Sequence, residues 1–240
     1  MRYSPVLQSA SIIMLGNFNP AIFSPAWFAL QGLIPGIDPE KAEVQIIHGE
    51  YTEMVMGALR VTVQTDRFAI ETASEPYVPI LDVVLGTFGH TLTHTPIRQV
   101  GVNYQLHFPL DNPQQRVKLG RLLAPLSPWG EWGKLIEQRS SDLQTAGGVR
   151  ALVLEEAAPD GRPTHDYRRV HIQPSVREDI LDPYTGVFML VNDHYVVEPD
   201  ATAPIDADRA MSVLNESFDA SIAKSKAIVA ELQETASKLA

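Results

Sequence analysis

The most regular pattern in the chain lies between Pro96 and Leu110. From Val100 onward, Val100, Val102, Tyr104, Leu106 and Phe108 alternate with Gln99, Gly101, Asn103, Gln105 and His107. Period-two alternation of this kind predicts a strand with one face in a core and one polar face. That polar face carries amides and imidazole but no formal charge at neutral pH. The rest of the chain reads as arranged around this strand.

Before it, Ser9–Leu15 predicts a short buried strand, broken by the turn formers Gly16 to Pro20. Ser24-Pro25 predicts a helix start, with a helix over Pro25–Leu33 that Gly32, Pro35 and Gly36 end. Its aromatics suit a binding surface or packing against a sheet. Val44–His48, Tyr51–Met56 and Leu59–Thr65 follow as strands. A tight connection at Thr65-Asp66 leads to a further strand carrying Phe68, Ile70 and Thr72. Ser74-Glu75-Pro76 opens a helix with Ser74 as its expected cap; Ile80, Val83, Val84, Thr87, Phe88 and Leu92 recur at helical spacing.

After the organising strand, Asn112-Pro113 starts a helix that Pro125 closes. Leu126–Gly148 reads as a long connection with one helical turn near Trp132–Ile136. Val149–Glu156, Tyr167–Val176 and Gly186–Val197 predict a three-stranded meander, the last strand long enough to contain a bulge at Asn192-Asp193. Pro204-Ile205-Asp206 introduces a helix over Ala207–Leu239, about 50 Å long at 1.5 Å per residue. Met211, Leu214, Phe218, Ile228, Leu232 and Leu239 form its apolar stripe, interrupted by Ser221 and Ser225. So long a helix either crosses its own domain or pairs with another subunit. The expected fold is α+β: antiparallel sheets, helices packed on one face, and a long C-terminal helix. The 240 residues suit one domain, divisible into lobes 1–147 and 148–203 meeting near Gly147, plus the helix 205–239.

Composition narrows the function classes. The formal net charge is −10, and the basic residues do not cluster, so nucleic-acid binding is not expected. With no cysteine, disulfides, thiolate catalysis and cysteine-based zinc sites are excluded. No apolar run is long enough to span a bilayer, so no membrane contact and a cytoplasmic location are expected.

Candidate chemistry is sparse. His90 and His94 share one helical face at a spacing metals use, but no third ligand is identifiable; histidines also suit a helix C-terminus. Asp193 and His194 are strand neighbours and point to opposite faces, so they make no catalytic pair. No Gly-rich phosphate loop and no nucleophile elbow is present. Neither a metal nor a cofactor is expected. The candidate binding residues are therefore Gln99, Asn103, Gln105 and His107 on the polar strand face, with Trp129 and Trp132 in the long connection. Arg60 and Arg98 are candidates to flank the face. The competing readings are a solvent-facing strand side and two tryptophans covering the end of a core.

The block Leu59–Phe108 resembles the core of a sporadically distributed family of uncharacterised bacterial proteins. Asp66-Arg67-Phe68, the helix near Tyr77–Leu92 and Val100-Gly101-Val102-Asn103-Tyr104 carry the likeness. Asn103 stands where that pattern prefers Arg, and Gln105 replaces the Asn that follows. The resemblance covers about a fifth of the chain and implies architecture more than activity. Its scattered distribution would suit accessory systems such as stress response, phage defence or toxin neutralisation. The first expectation is a non-enzymatic interaction or assembly protein that forms a homo-oligomer, a homodimer through its C-terminal helix, and meets a protein partner. The alternative is a hydrolase or small-ligand-binding enzyme whose site gathers scattered His, Asp and Asn residues.

Overall fold

In the computed structural model, residues 3–138, 148–197 and 206–239 are described. Nine strands form one antiparallel sheet: β1 (Leu7–Gly16), β2 (Glu43–Ile47), β3 (Tyr51–Met56), β4 (Leu59–Gln64), β5 (Arg67–Thr72), β6 (Ile97–Pro109), β7 (Leu152–Ala157), β8 (Tyr167–Pro174) and β9 (Gly186–Val196). Their spatial order is β2-β3-β4-β5-β1-β6-β9-β8-β7. The organising strand is the longest, β6, and its two neighbours are β1 and β9. Each half of the chain builds a meander, and β1 and β6 join the two into one sheet. The sheet is thus continuous across the expected division at Gly147, a residue outside those described.

Five helices are described: α1 (Pro25–Leu30), α2 (Val78–Gly86), α3 (Pro113–Leu123), α4 (Gly130–Gln138) and α5 (Asp208–Ser237). The fold is α+β, as the alternation of apolar positions predicts. The even positions of β6 pack beneath the helices together with Ala10, Ile12 and Met14 of β1 and Val187, Met189 and Val191 of β9. Phe18, Phe23, Phe28, Phe68 and Phe88 fill the core at the other end, with ring centroids 5.0–6.3 Å apart.

Local signals explain most boundaries. Ser24 caps α1, its hydroxyl accepting from the Trp27 amide, and Asn112 caps α3 by accepting from the Gln115 amide. The chain after α1 turns through Gly32 at φ +68°, a conformation that suits a residue without Cβ. Three expectations need correction. Ser74 does not cap α2: the helix begins at Val78 without a side-chain cap and ends in a π turn over Thr87–Thr91. The connection after Pro125 carries a full helix, α4, rather than one turn. The pairing of β9 with β6 runs in unbroken register, so there is no bulge at Asn192-Asp193. Adjacent polar residues suggested a bulge because both faces of β9 carry polar groups.

The expected entry to the last helix, at Pro204-Ile205, lies outside the described residues. α5 crosses the sheet above β6 and β9 and touches α2. Met211, Leu214, Phe218, Ser221, Ser225 and Val229 are buried along it, so its own sheet covers this stripe. Ser221 falls where the sheet beneath presents a hydroxyl. The Ser221 hydroxyl lies 2.7 Å from the Tyr195 hydroxyl. The Lys226 ammonium lies 5.1 Å from the Tyr77 ring centroid and 2.7 Å from the Glu75 carboxylate. No described helix is long and apolar enough to cross a membrane.

Candidate binding site on the open face of the sheet

The helices cover one face of the sheet, and the register fixes what stands on the other. Across β4-β5-β1-β6-β9-β8-β7, one transverse row reads Arg60, Glu71, Ser11, Asn103, Asn192, Arg169 and Glu155. The next row reads Ala69, Ile13, Gly101, His194 and Tyr167. Another places Ser9 beside Gln105, Leu190 and His171. Residues facing each other on adjacent strands have Cβ atoms about 5 Å apart, so each row is a line of touching side chains.

The polar residues of the face pair with one another. Ser9 donates its hydroxyl hydrogen to Glu71 at 2.6 Å, and the Gln105 amide donates to both Ser9 and Glu71 at 2.9 Å. The Asn192 amide donates to the Asn103 carbonyl oxygen at 2.7 Å. Asn103 is only 6% exposed, although no helix covers it, because longer neighbours on the flanking strands shield the centre of a wide sheet. Its own amide nitrogen is buried and has no hydrogen-bond partner. One bond between two carboxamides uses one NH2 group and one carbonyl, so the pair always keeps a further donor.

Beside that donor, the Asn192 side chain lies over the backbone of Gly101. A Cβ built there would stand 2.9 Å from Asn192 Nδ2, 3.8 Å from Asn103 Nδ2 and 3.8 Å from the Ile13 carbonyl oxygen. The absence of a side chain at Gly101 thus lets the Asn192 amide settle over the strand next to the Asn103 amide. His194 faces Gly101 across the ladder and stacks on Tyr167 at 4.3 Å, with the Arg169 guanidinium 4.5 Å from the Tyr167 ring centroid. Burial holds the His194 imidazole below its ordinary value, opposed by the charge of Asp166. His194 is therefore biased toward the neutral form.

At the far end of β6, His107 Nδ1 lies 2.9 Å from the Ser175 hydroxyl, and both residues are buried. The His107 ring packs on Phe188 at 4.9 Å. Burial lowers its pKa, with a further contribution from the charge of Arg177. The Ser175 hydroxyl also accepts from the Arg177 amide at 3.1 Å. This enclosed pair ties the ends of β6 and β8 together and presents no accessible nucleophile.

The structure places Gln99, Asn103, Gln105 and His107 on the open face, and Arg60 with them, ion-paired to Glu53 at 2.8 Å. Arg98 is exposed. Trp129 and Trp132 stand apart, about the start of α4, with ring centroids 5.5 Å apart and each more than half exposed. They do not cover the end of the core. His90 and His94 are exposed, and among the described residues no group of three or more His, Asp or Glu side chains is placed to hold a metal ion.

Sequence reasoning missed Asn192, Gly101, Ser9 and Glu71. The expected bulge hid Asn192, and only the register reveals which residues of β1, β5 and β9 stand beside β6. Asp193 faces the helices, where its buried carboxylate meets Arg162 at 2.6 Å and Arg168 at 3.0 Å. It is thus separated from His194, as strand geometry requires.

No protein-family model matches the chain, and no curated protein does. Among solved structures, the chain has a match to a rolling circle replication initiator protein from Geobacillus stearothermophilus. The match has 10% identity and a TM-score of 0.26, and covers 88% of this chain and 78% of that one. A likeness at that score transfers no activity. The expectation of a non-enzymatic, self-associating assembly protein is nevertheless corrected. The neighbour found is named for initiating replication, which lends that reading no support, and the apolar stripe meant to join two copies is covered by this chain's own sheet.

Proposed function

We propose that the open face of the sheet binds a small polar ligand through its carbonyl or carboxylate oxygens, seated at the Asn103–Asn192 amide pair. The observation that carries this reading is the Asn103 amide nitrogen, buried and unpartnered on the face that no helix covers. A buried donor without an acceptor is destabilising by about 1–3 kcal/mol, so an arriving oxygen relieves a standing cost. The Asn192 amide adds a second donor, and the His194–Tyr167–Arg169 stack offers a planar wall on the next strands. The reading is a ligand-binding site; the enclosed His107–Ser175 pair gives no ground for a hydrolytic step.

The side-chain amide signals of Asn103 and Asn192 in a nitrogen–proton correlation spectrum report on this site directly. N-acetylglycine, which offers both a carboxylate and an amide carbonyl, is expected to move them at millimolar concentration. Asn103→Asp turns the donor into an acceptor and is expected to abolish the effect on Asn192. Unmoved signals, or an unchanged response in the variant, would remove the basis for the site.

A further inference from the structure

On the helix side of the sheet, α3 leaves a cavity of about 90 Å³ against the ends of β8 and β9 and the segment 148–150. Its lining is of two kinds. Leu119, Ile172 and Val187 supply an apolar floor, and Arg116, Arg121 and Arg150 stand among the lining residues. Three arginines lining one apolar cavity are hard to account for by packing alone, because each stays charged at any pH a protein meets. Burial and then the charge of Arg150 hold Arg116 below its ordinary value, so the two cations lie close enough to oppose one another.

The nearby carboxylates do not match this charge. Asp182 acts on Arg116, and Glu137 lies 3.7 Å from Arg121. Arg116 donates to the Pro183 carbonyl oxygen at 2.6 Å, a neutral acceptor. Arg121 Nη2 is buried and has no hydrogen-bond partner. Arg150 is exposed and makes no ion pair among the described residues.

We infer that this cavity is a binding site for a short-chain aliphatic carboxylate, its tail on Leu119, Ile172 and Val187 and its carboxylate among Arg116, Arg121 and Arg150. The volume sets the chain length. A cavity of about 150 Å³ takes benzene, so this one takes a tail of only a few carbons. The cationic rim selects the head group, since guanidinium and carboxylate match in shape and charge. The site is separate from the Asn103–Asn192 amide pair, which lies on the opposite face of the sheet.

Calorimetric titration with acetate, propionate, butyrate and pentanoate tests it on the full chain, with 1-pentanol as the uncharged control. Affinity is expected to rise about fourfold per added methylene. Arg150→Gln, an exposed position whose change leaves the fold intact, is expected to weaken pentanoate binding about tenfold. Asn103→Asp is expected to leave it unchanged, which separates this site from the sheet-face site. The inference is overturned if pentanoate does not bind, if 1-pentanol binds as tightly, or if Arg150→Gln has no effect.

Discussion

The Tyr195 hydroxyl lies 2.7 Å from the Ser221 hydroxyl where β9 passes beneath α5, and Ser221 is 2% exposed. This contact explains a serine in the middle of an otherwise apolar helix stripe. Burial raises the Tyr195 pKa above its ordinary value, with Ser221 opposing the shift. The hydroxyl therefore stays protonated and needs a partner. Ser221→Ala removes this partner, leaving Ser217 as the other hydroxyl beside it, and is expected to cost about 1 kcal/mol in urea unfolding. Tyr195→Phe in the same chain removes the group that lost its partner, so the double variant should be less destabilised than the sum of the two single changes. Strict additivity would show that the two hydroxyls do not interact.

Asp193 makes a steeper prediction. It is fully buried and held by two guanidiniums, Arg162 and Arg168, while Arg168 also reaches Asp160 and Glu156. Asp193→Asn leaves Arg162 without its counter-ion and Arg168 with only the more exposed Asp160 and Glu156, and about 3 kcal/mol of stability should be lost. The Arg169–Glu155 pair is a useful contrast: it is close, at 2.5 Å, but about half exposed on both sides. Glu155→Gln should cost under about 1 kcal/mol. Equal losses for the two variants would mean that burial does not govern these ion pairs.

These two contacts mark how far the sequence alone was legible. Alternation at Val100–Phe108 gave β6 and the identity of its core face, because a strand's side chains must alternate. It also separated Asp193 from His194. Strand partners could not be read in the same way. Nothing local says that Asn103 faces Asn192 rather than another polar residue, since pairing joins positions 89 apart in the chain. The Ser221 position was visible as a break in the helix stripe, but Tyr195, which explains it, belongs to another element. The tryptophans of α4 illustrate the opposite limit. Large apolar side chains are usually buried, and Trp129 and Trp132 are exposed because α4 follows a turn that carries it off the sheet.

His107, buried, and His194, half-buried, predict an acid limb in stability. His107 and His194 both titrate below the unfolded value of 6.5, each chiefly because burial disfavours the charged ring. Between the folded values and 6.5 the unfolded chain binds more protons than the native one, so stability rises with pH there. It is fully present above 6.5 and is lost as pH falls through the folded values. Glu53, Glu75 and Asp160, lowered by hydrogen bonds from Tyr51, Lys226 and Arg168, act in the same direction but from about pH 4.5 downward. Urea unfolding between pH 7 and 5 isolates the histidine limb. His107→Gln is expected to flatten it, and an unchanged slope would place the effect elsewhere.

Two glycines distinguish a rigid neighbour from a yielding one. Both sit in strands, where alanine is ordinarily favoured by about 0.5–1 kcal/mol because it loses less backbone freedom on folding. A Cβ on Gly16 would stand 2.2 Å from the Pro96 carbonyl oxygen, a backbone atom that cannot swing aside. Gly16→Ala must therefore shift the β1–β6 register at its bulge, and a loss of about 1–3 kcal/mol is expected despite the backbone gain. A Cβ on Gly101 meets Asn192 Nδ2 at 2.9 Å, the far end of a side chain that can rotate. Rotation sacrifices the hydrogen bond to Asn103, a term of about 1 kcal/mol that roughly offsets the backbone gain. Gly101→Ala should then fold with nearly unchanged stability while displacing the Asn192 amide from its place over residue 101, so N-acetylglycine should no longer move the Asn103 amide signal. An alanine at 101 that leaves both stability and this response intact would show that the oxygen does not sit at the amide pair.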